Sequence, residues 1–126
     1  MYATRAAFVR SVLAAHTAPC DTSARGLGLP LDRVLCEFGA RSKNMRTPWA
    51  RHLQQVGFKL VGLLDPYKDG DVLVISARSK RPKDRHTLPR CGRAFVRHGN
   101  VWIFSNTDNV HDLVKGNMAS IWRLPI

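Results

Sequence analysis

The run Asp71-Val72-Leu73-Val74-Ile75-Ser76 constrains the fold most, because a strand-like apolar stretch here opens straight into a cationic one. The turn residues Lys68-Asp69-Gly70 precede it. After it come Arg78, Lys80, Arg81, Lys83, Arg85, Arg90, Arg93 and Arg97, eight cations against the single acid Asp84, with His86 among them. A strand that empties into such a loop suits a small β protein that grips a polyanion. Solubility alone would need neither this density nor this one-sidedness.

The neighbouring pattern extends the strand reading. Phe58-Lys59-Leu60-Val61-Gly62-Leu63-Leu64 ends at the turn Asp65-Pro66. Segments 93–97 and 100–104 flank His98-Gly99 as a tight hairpin, and 119–124 reads as a closing strand. Four or five short strands predict a mostly β chain, a small β-barrel or sandwich, with an extended, partly helical N-terminal region. In that region Pro19, Gly26, Gly28 and Pro30 mark a linker. Leu31, Val34, Leu35 and Phe38 then fall at i, i+3, i+4 and i+7, a short amphipathic helix ended by Gly39. Thr47-Pro48 reads as an N-cap followed by a first-turn proline, with Trp49, Leu53 and Val56 on one helical face. The chain thus divides into a possible targeting segment (1–20), a linker with a short helix (21–41) and a compact β domain (42–126). If 58–64 and 71–77 pair as a hairpin, Lys59 and the residues before it lie beside the 78–90 loop and form one basic patch.

With 126 residues the chain supports one domain with a modest core. Its formal charge is +11, carried by 20 Lys and Arg residues against 9 acids. Arginine, the commoner cation here, suits bidentate contact with phosphate. No acid occurs between Ala40 and Leu64, while Arg41, Lys43, Arg46, Arg51 and Lys59 accumulate there beside the polar Asn44. Basic charge is therefore concentrated in 41–97, and the nearly neutral C-terminal end is expected to face protein or solvent. Such a field attracts nucleic acid or an anionic membrane surface. The apolar runs are far shorter than the ~20 residues that span a bilayer, so membrane insertion is not expected. Residues 1–16 are basic, contain Ser and Thr, and precede the first acid, Asp21, a composition that fits a mitochondrial presequence. An ordinary N-terminal helix is the other reading of the same residues.

Catalytic and metal-binding signals are weak. Cys20, Cys36 and Cys91 are odd in number and widely spaced, which suits idle or buried thiols in a reducing compartment rather than a disulfide framework. His86, Cys91 and His98 lack zinc-site spacing, and Gly26-Leu27-Gly28 lacks the remainder of a phosphate-binding loop. No catalytic residue, metal ligand or cofactor is expected. Trp102 and Phe104 alternate with Val101 and Ile103, so either pair forms a base-stacking platform or packs in the core.

Three motifs follow one another in order: Ser42-Lys43-Asn44-x-Arg46, then Leu53-x-x-Val56-Gly57-x-Lys59-x-x-Gly62, then Gly70-Asp71-Val72-Leu73-Val74-x-x-x-Arg78. Gly92-Arg93 and Gly99-Asn100-Val101-Trp102-Ile103-Phe104 come after them. Over residues 41–104 the chain resembles the bacterial-type large-subunit ribosomal protein twenty-seven family, in a mitochondrial version. His86-Thr87 stands before the Gly-Arg pair rather than after it, and the family's short Lys/Gly-rich tail is absent. The turn at Gly70-Asp71 is also similar to one in large-subunit ribosomal protein twenty-four.

The resemblance implies a structural protein of the mitochondrial large ribosomal subunit, located in the matrix and clamping rRNA through residues 41–59 and 78–97. It implies neighbouring ribosomal proteins as partners, and an N-terminal segment directed to the peptidyl transferase centre, where tRNA would lie within reach. A basic accessory subunit of a mitochondrial respiratory complex and a free RNA-binding factor are the alternatives.

Overall fold

The computed structural model describes residues 4–17, 29–37, 39–40, 47–62, 66–76, 92–104, 114 and 118–125. Among the described residues, helices α1 (Arg5–Thr17), α2 (Leu29–Glu37) and α3 (Trp49–Gln54) precede five strands. The strands are β1 (Lys59–Val61), β2 (Val72–Ser76), β3 (Arg93–His98), β4 (Val101–Ile103) and β5 (Met118–Arg123).

The strands make one antiparallel sheet in the order β1-β5-β2-β3-β4. It is open, with the three-residue strands β1 and β4 at its edges, so it is not the closed barrel that the strand count suggested. Nor do the described residues supply a second sheet. The layer packed on this one is helical, because Phe8 and Val12 of α1, Leu31, Val34 and Leu35 of α2, and Trp49 and Leu53 of α3 share a core with Val72, Val74, Ala94 and Val96.

Local chemistry explains each helix. Thr4 caps α1, its Oγ1 accepting from Ala7 N at 3.1 Å. Phe8 and Val12, one turn apart, then form its buried side, and Phe8 meets Phe58 edge-to-face at 5.1 Å. Helices α1 and α2 therefore both contribute side chains to the core shared with the sheet. A helix α2 is present where the 31–38 pattern predicts one, starting two residues earlier and closing at Gly39 with Ala40 N donating to Leu35 O. Phe38 lies outside the described residues. In α3 the N-cap is Pro48, not Thr47, with extended backbone and no capping side chain. The face predicted from Trp49, Leu53 and Val56 is buried as expected.

The turns obey their residues. Lys68-Asp69-Gly70-Asp71 closes through Asp71 N to Lys68 O at 3.0 Å, with Gly70 at φ 89. Only glycine meets that requirement easily, and a Cβ there would come within 3.0 Å of Val9 on α1. The β3–β4 hairpin turns on Gly99-Asn100, with His98 opposite Val101. Gly92 is needed for close approach, since a Cβ there would lie 2.4 Å from the carbonyl oxygen of Ile75.

Pairing differs from the expected hairpin of 58–64 with 71–77. β5 lies between β1 and β2 and is antiparallel to both, so β1 and β2 run the same way. Lys59 is opposite Arg123 while Ser76 is opposite Met118, which places Lys59 and Ser76, the last described residue before the 78–90 segment, at opposite ends of the sheet. At ~3.3 Å per residue that separation is about 16 Å.

Candidate nucleic-acid interface

Away from the helices, the sheet carries a small apolar cluster of Leu73, Ile75, Phe95 and Ile121, with Val61, Trp102, Val114 and Ala119 packed against it. Strand alternation puts Lys59, Asp71, Arg93, Arg97 and Arg123 on this same face. Register then aligns five side chains in one row across all five strands. Lys59 on β1 is opposite Arg123 on β5, Asp71 leads into β2 beside them, its carbonyl accepts from Arg97 N of β3, and Arg97 is opposite Trp102 on β4. With strands ~4.8 Å apart, the row is about 19 Å long.

A buried ion pair anchors the row. Arg123 Nε donates to Asp71 Oδ1 and Arg123 Nη2 to Asp71 Oδ2, both at 2.8 Å, a two-pronged geometry that fixes the guanidinium plane. Asp71 is fully buried, and Lys68 N also donates to its Oδ2 at 2.9 Å. Arg123 Nη2 reaches Pro66 O as well, at 2.9 Å. Asp69 Oδ1 accepts from Gly99 N at 2.8 Å. Turn 66–71 is thus tied on one side to β5 and on the other to the β3–β4 hairpin.

That tether sets Tyr67 against the row. Its ring meets Trp102 at 5.4 Å, inclined at 65°. The Arg97 guanidinium carbon lies 5.4 Å from the Tyr67 centroid and 5.1 Å from that of Trp102, within cation–π range of both rings. Arg97 is further fixed by Nε donating to Gly99 O at 2.9 Å. Tyr67 is 43% exposed, and Lys59 is exposed on the edge strand. An aromatic pair, a guanidinium and a lysine on a firm support can stack a base and neutralise phosphate.

Of the cations expected to act together, the four described ones, Arg51, Lys59, Arg93 and Arg97, do not share a single site. Lys59 and Arg97 belong to the row. Arg93 shares their face at the opposite end, opposite Ile75, and its buried Nε has no hydrogen-bond partner among the described residues. Arg51 is exposed on α3, in the helical layer, so the sheet separates it from Lys59. Arg41, Lys43, Asn44, Arg46, Arg78, Lys80, Arg81, Lys83, Arg85, His86 and Arg90 lie outside the described residues. Trp102 and Phe104 do not act as a pair. Phe104 follows β4 with φ 67 and is fully buried in the helix-side core, with His16 edge-on to its ring at 5.8 Å. His98 has its Nδ1 3.8 Å from Asp69 Oδ2, at the rim of the same turn.

Sequence reasoning missed Tyr67, Asp71 and Arg123 as a unit. Asp71 and Arg123 are 52 residues apart, with no local pattern linking them. It also missed Asp32, Cys36 and His52, which come together between α2 and α3.

No known protein family, curated protein or solved structure matches this chain.

Proposed function

We propose that this protein binds folded RNA by neutralising phosphate and stacking bases, and that it is a structural constituent of the mitochondrial large ribosomal subunit. The observation that carries RNA binding is the row Lys59–Arg123–Asp71–Arg97–Trp102 with Tyr67 beside it, in a chain of formal charge +11. The ion pair consumes one cation of the row, leaving Lys59 and Arg97 for phosphate, and Tyr67 offers an exposed ring. The ribosomal assignment is narrower. Its support is the ordered series of motifs over residues 42–104 and the acid-poor N-terminal segment. In this reading the segment is retained after import, because its Phe8 and Val12 complete the core. Among the described residues no helix is long and apolar enough to cross a membrane.

Sedimentation of the native protein with and without ribonuclease tests both levels. The expected result is co-sedimentation with the large subunit, lost on RNA digestion. Migration with a smaller ribonuclease-sensitive particle would retain RNA binding and remove the ribosomal assignment. Ribonuclease-insensitive migration with membranes or protein would remove both. RNA affinity should also be steeply salt-dependent. If roughly eight cations meet phosphate, log K should fall against log salt with a slope of about −5 to −7, and a slope near zero would exclude phosphate contact as the source of affinity.

A further inference from the structure

We propose that Asp32, Cys36 and His52 form a binding site for a divalent transition-metal ion of the zinc class, clasping α2 to α3. Asp32 and Cys36 are four residues apart on α2 and so share a face. His52 reaches them from α3. Asp32 Oδ1 is 2.8 Å from His52 Nε2 and 3.8 Å from Cys36 Sγ, and the three donor atoms all lie within 4.8 Å of one another.

A tetrahedral zinc ion, with bonds of about 2.0–2.3 Å, requires ligand atoms roughly 3.3–3.6 Å apart. The site meets that requirement if the Asp32–His52 approach widens by about half an ångström and Cys36 Sγ closes on both partners, from 3.8 Å to Asp32 and from within 4.8 Å to His52. Without an ion, Asp32 and His52 can close on each other as a buried pair, and Cys36 stays within weak hydrogen-bond range of the carboxylate.

The donor set selects the ion. One imidazole, one thiol and one carboxylate suit zinc or its first-row neighbours, whereas magnesium and calcium prefer oxygen alone. Charge balance points the same way. A carboxylate, a thiolate and a neutral imidazole sum to −2, so a divalent ion leaves the site neutral where burial penalises net charge. Binding would release the thiol proton, together with the imidazolium proton wherever His52 carries one. His52 is 1% exposed, and its ring is held edge-on by Trp49 at 5.8 Å, so the ligand orientation is set by packing. Cys36 is half-buried and gives the ion a way in. Three protein donors leave a fourth position for water or another thiol.

The test uses the full chain, stripped of metal and titrated with Co²⁺, then with Zn²⁺ in competition. The expected result is one equivalent bound, with a thiolate-to-cobalt charge-transfer band and visible bands of tetrahedral intensity, both displaced by Zn²⁺. Cys36→Ala should abolish the charge-transfer band while its far-ultraviolet circular dichroism stays that of the parent. The double change Cys20→Ala, Cys91→Ala should keep the band. Zn²⁺ should raise the unfolding temperature of the parent and leave that of Cys36→Ala unmoved. No band at one equivalent, or a band that survives Cys36→Ala, would overturn the proposal. Should Cys36→Ala lose its circular dichroism, Asp32→Asn replaces it, and full-strength Co²⁺ binding by that variant would likewise overturn the site. RNA affinity does not enter any of these readouts.

Discussion

The two faces of the sheet differ in what holds them. On the helix side, Val72, Val74, Ala94 and Val96 meet apolar side chains from α1, α2 and α3, and apolar packing dominates the arrangement, with the buried Asp32–His52 pair joining α2 to α3. On the other side, four buried apolar residues sit beside a polar row whose order comes from directed contacts: a two-pronged ion pair, a turn pinned at Asp69 and Asp71, and a guanidinium set against two rings. Burial without direction builds the scaffold. Direction with partial exposure builds a surface that can recognise a ligand. The two faces should therefore respond to mutation in different measurements.

The helix side should give the largest loss of stability. Phe8→Ala should cost about 3–5 kcal/mol in urea unfolding, because the ring is fully buried and packs edge-to-face on Phe58. A loss under about 1 kcal/mol would mean that α1 is dispensable to the fold, as a simple address segment would be. RNA affinity of the folded fraction should not change.

Next comes the anchor of the opposite face. Arg123→Ala leaves the Asp71 carboxylate buried without its ion-pair partner and should cost about 3 kcal/mol. Here stability and RNA affinity should fall together, since the turn carrying Tyr67 is released. A double-mutant cycle with Asp71→Asn should show coupling above about 1 kcal/mol, and simple additivity would contradict the anchoring role.

Tyr67→Ala separates recognition from folding. The side chain is 43% exposed, so unfolding should shift little, while RNA affinity should drop by about 1–2 kcal/mol if a base stacks there. Unchanged affinity would remove the aromatic pair from the interface.

The smallest effect compares single charges on the two sides. Lys59→Glu should weaken RNA binding by a few-fold and reduce the salt slope by about 1, with stability altered by less than about 0.5 kcal/mol. Arg51→Glu, on the helical layer, should do less. Equal effects would mean that RNA wraps both faces.

Much of the scaffold was legible because its signals are local. The 72–76 run, the turn at Gly70, the hairpin at Gly99 and the buried face of Trp49, Leu53 and Val56 each follow from a few adjacent residues. The N-terminal helix was harder to place. Its acid-free composition resembles a targeting segment, and only the packing of Phe8 and Val12 shows that it completes a core. The candidate surface was the least legible part. Charge marked Lys59 and Arg97, but the row containing them requires β5 to lie between β1 and β2, and strand order is set by contacts across long stretches of chain. Cys36 looked isolated for the same reason: its neighbours are Asp32, one turn away, and His52, on another helix.

By itself, then, the sequence determined the strong positive field, the strand-forming C-terminal half and the turns, because composition, alternation and glycine placement act over a few residues. Tertiary structure decided which cations share a face, which turn presents Tyr67, and that Asp71 must meet Arg123. Those outcomes depend on strand pairing and helix docking, in which buried surface from distant segments selects one arrangement among the many that the same local preferences allow.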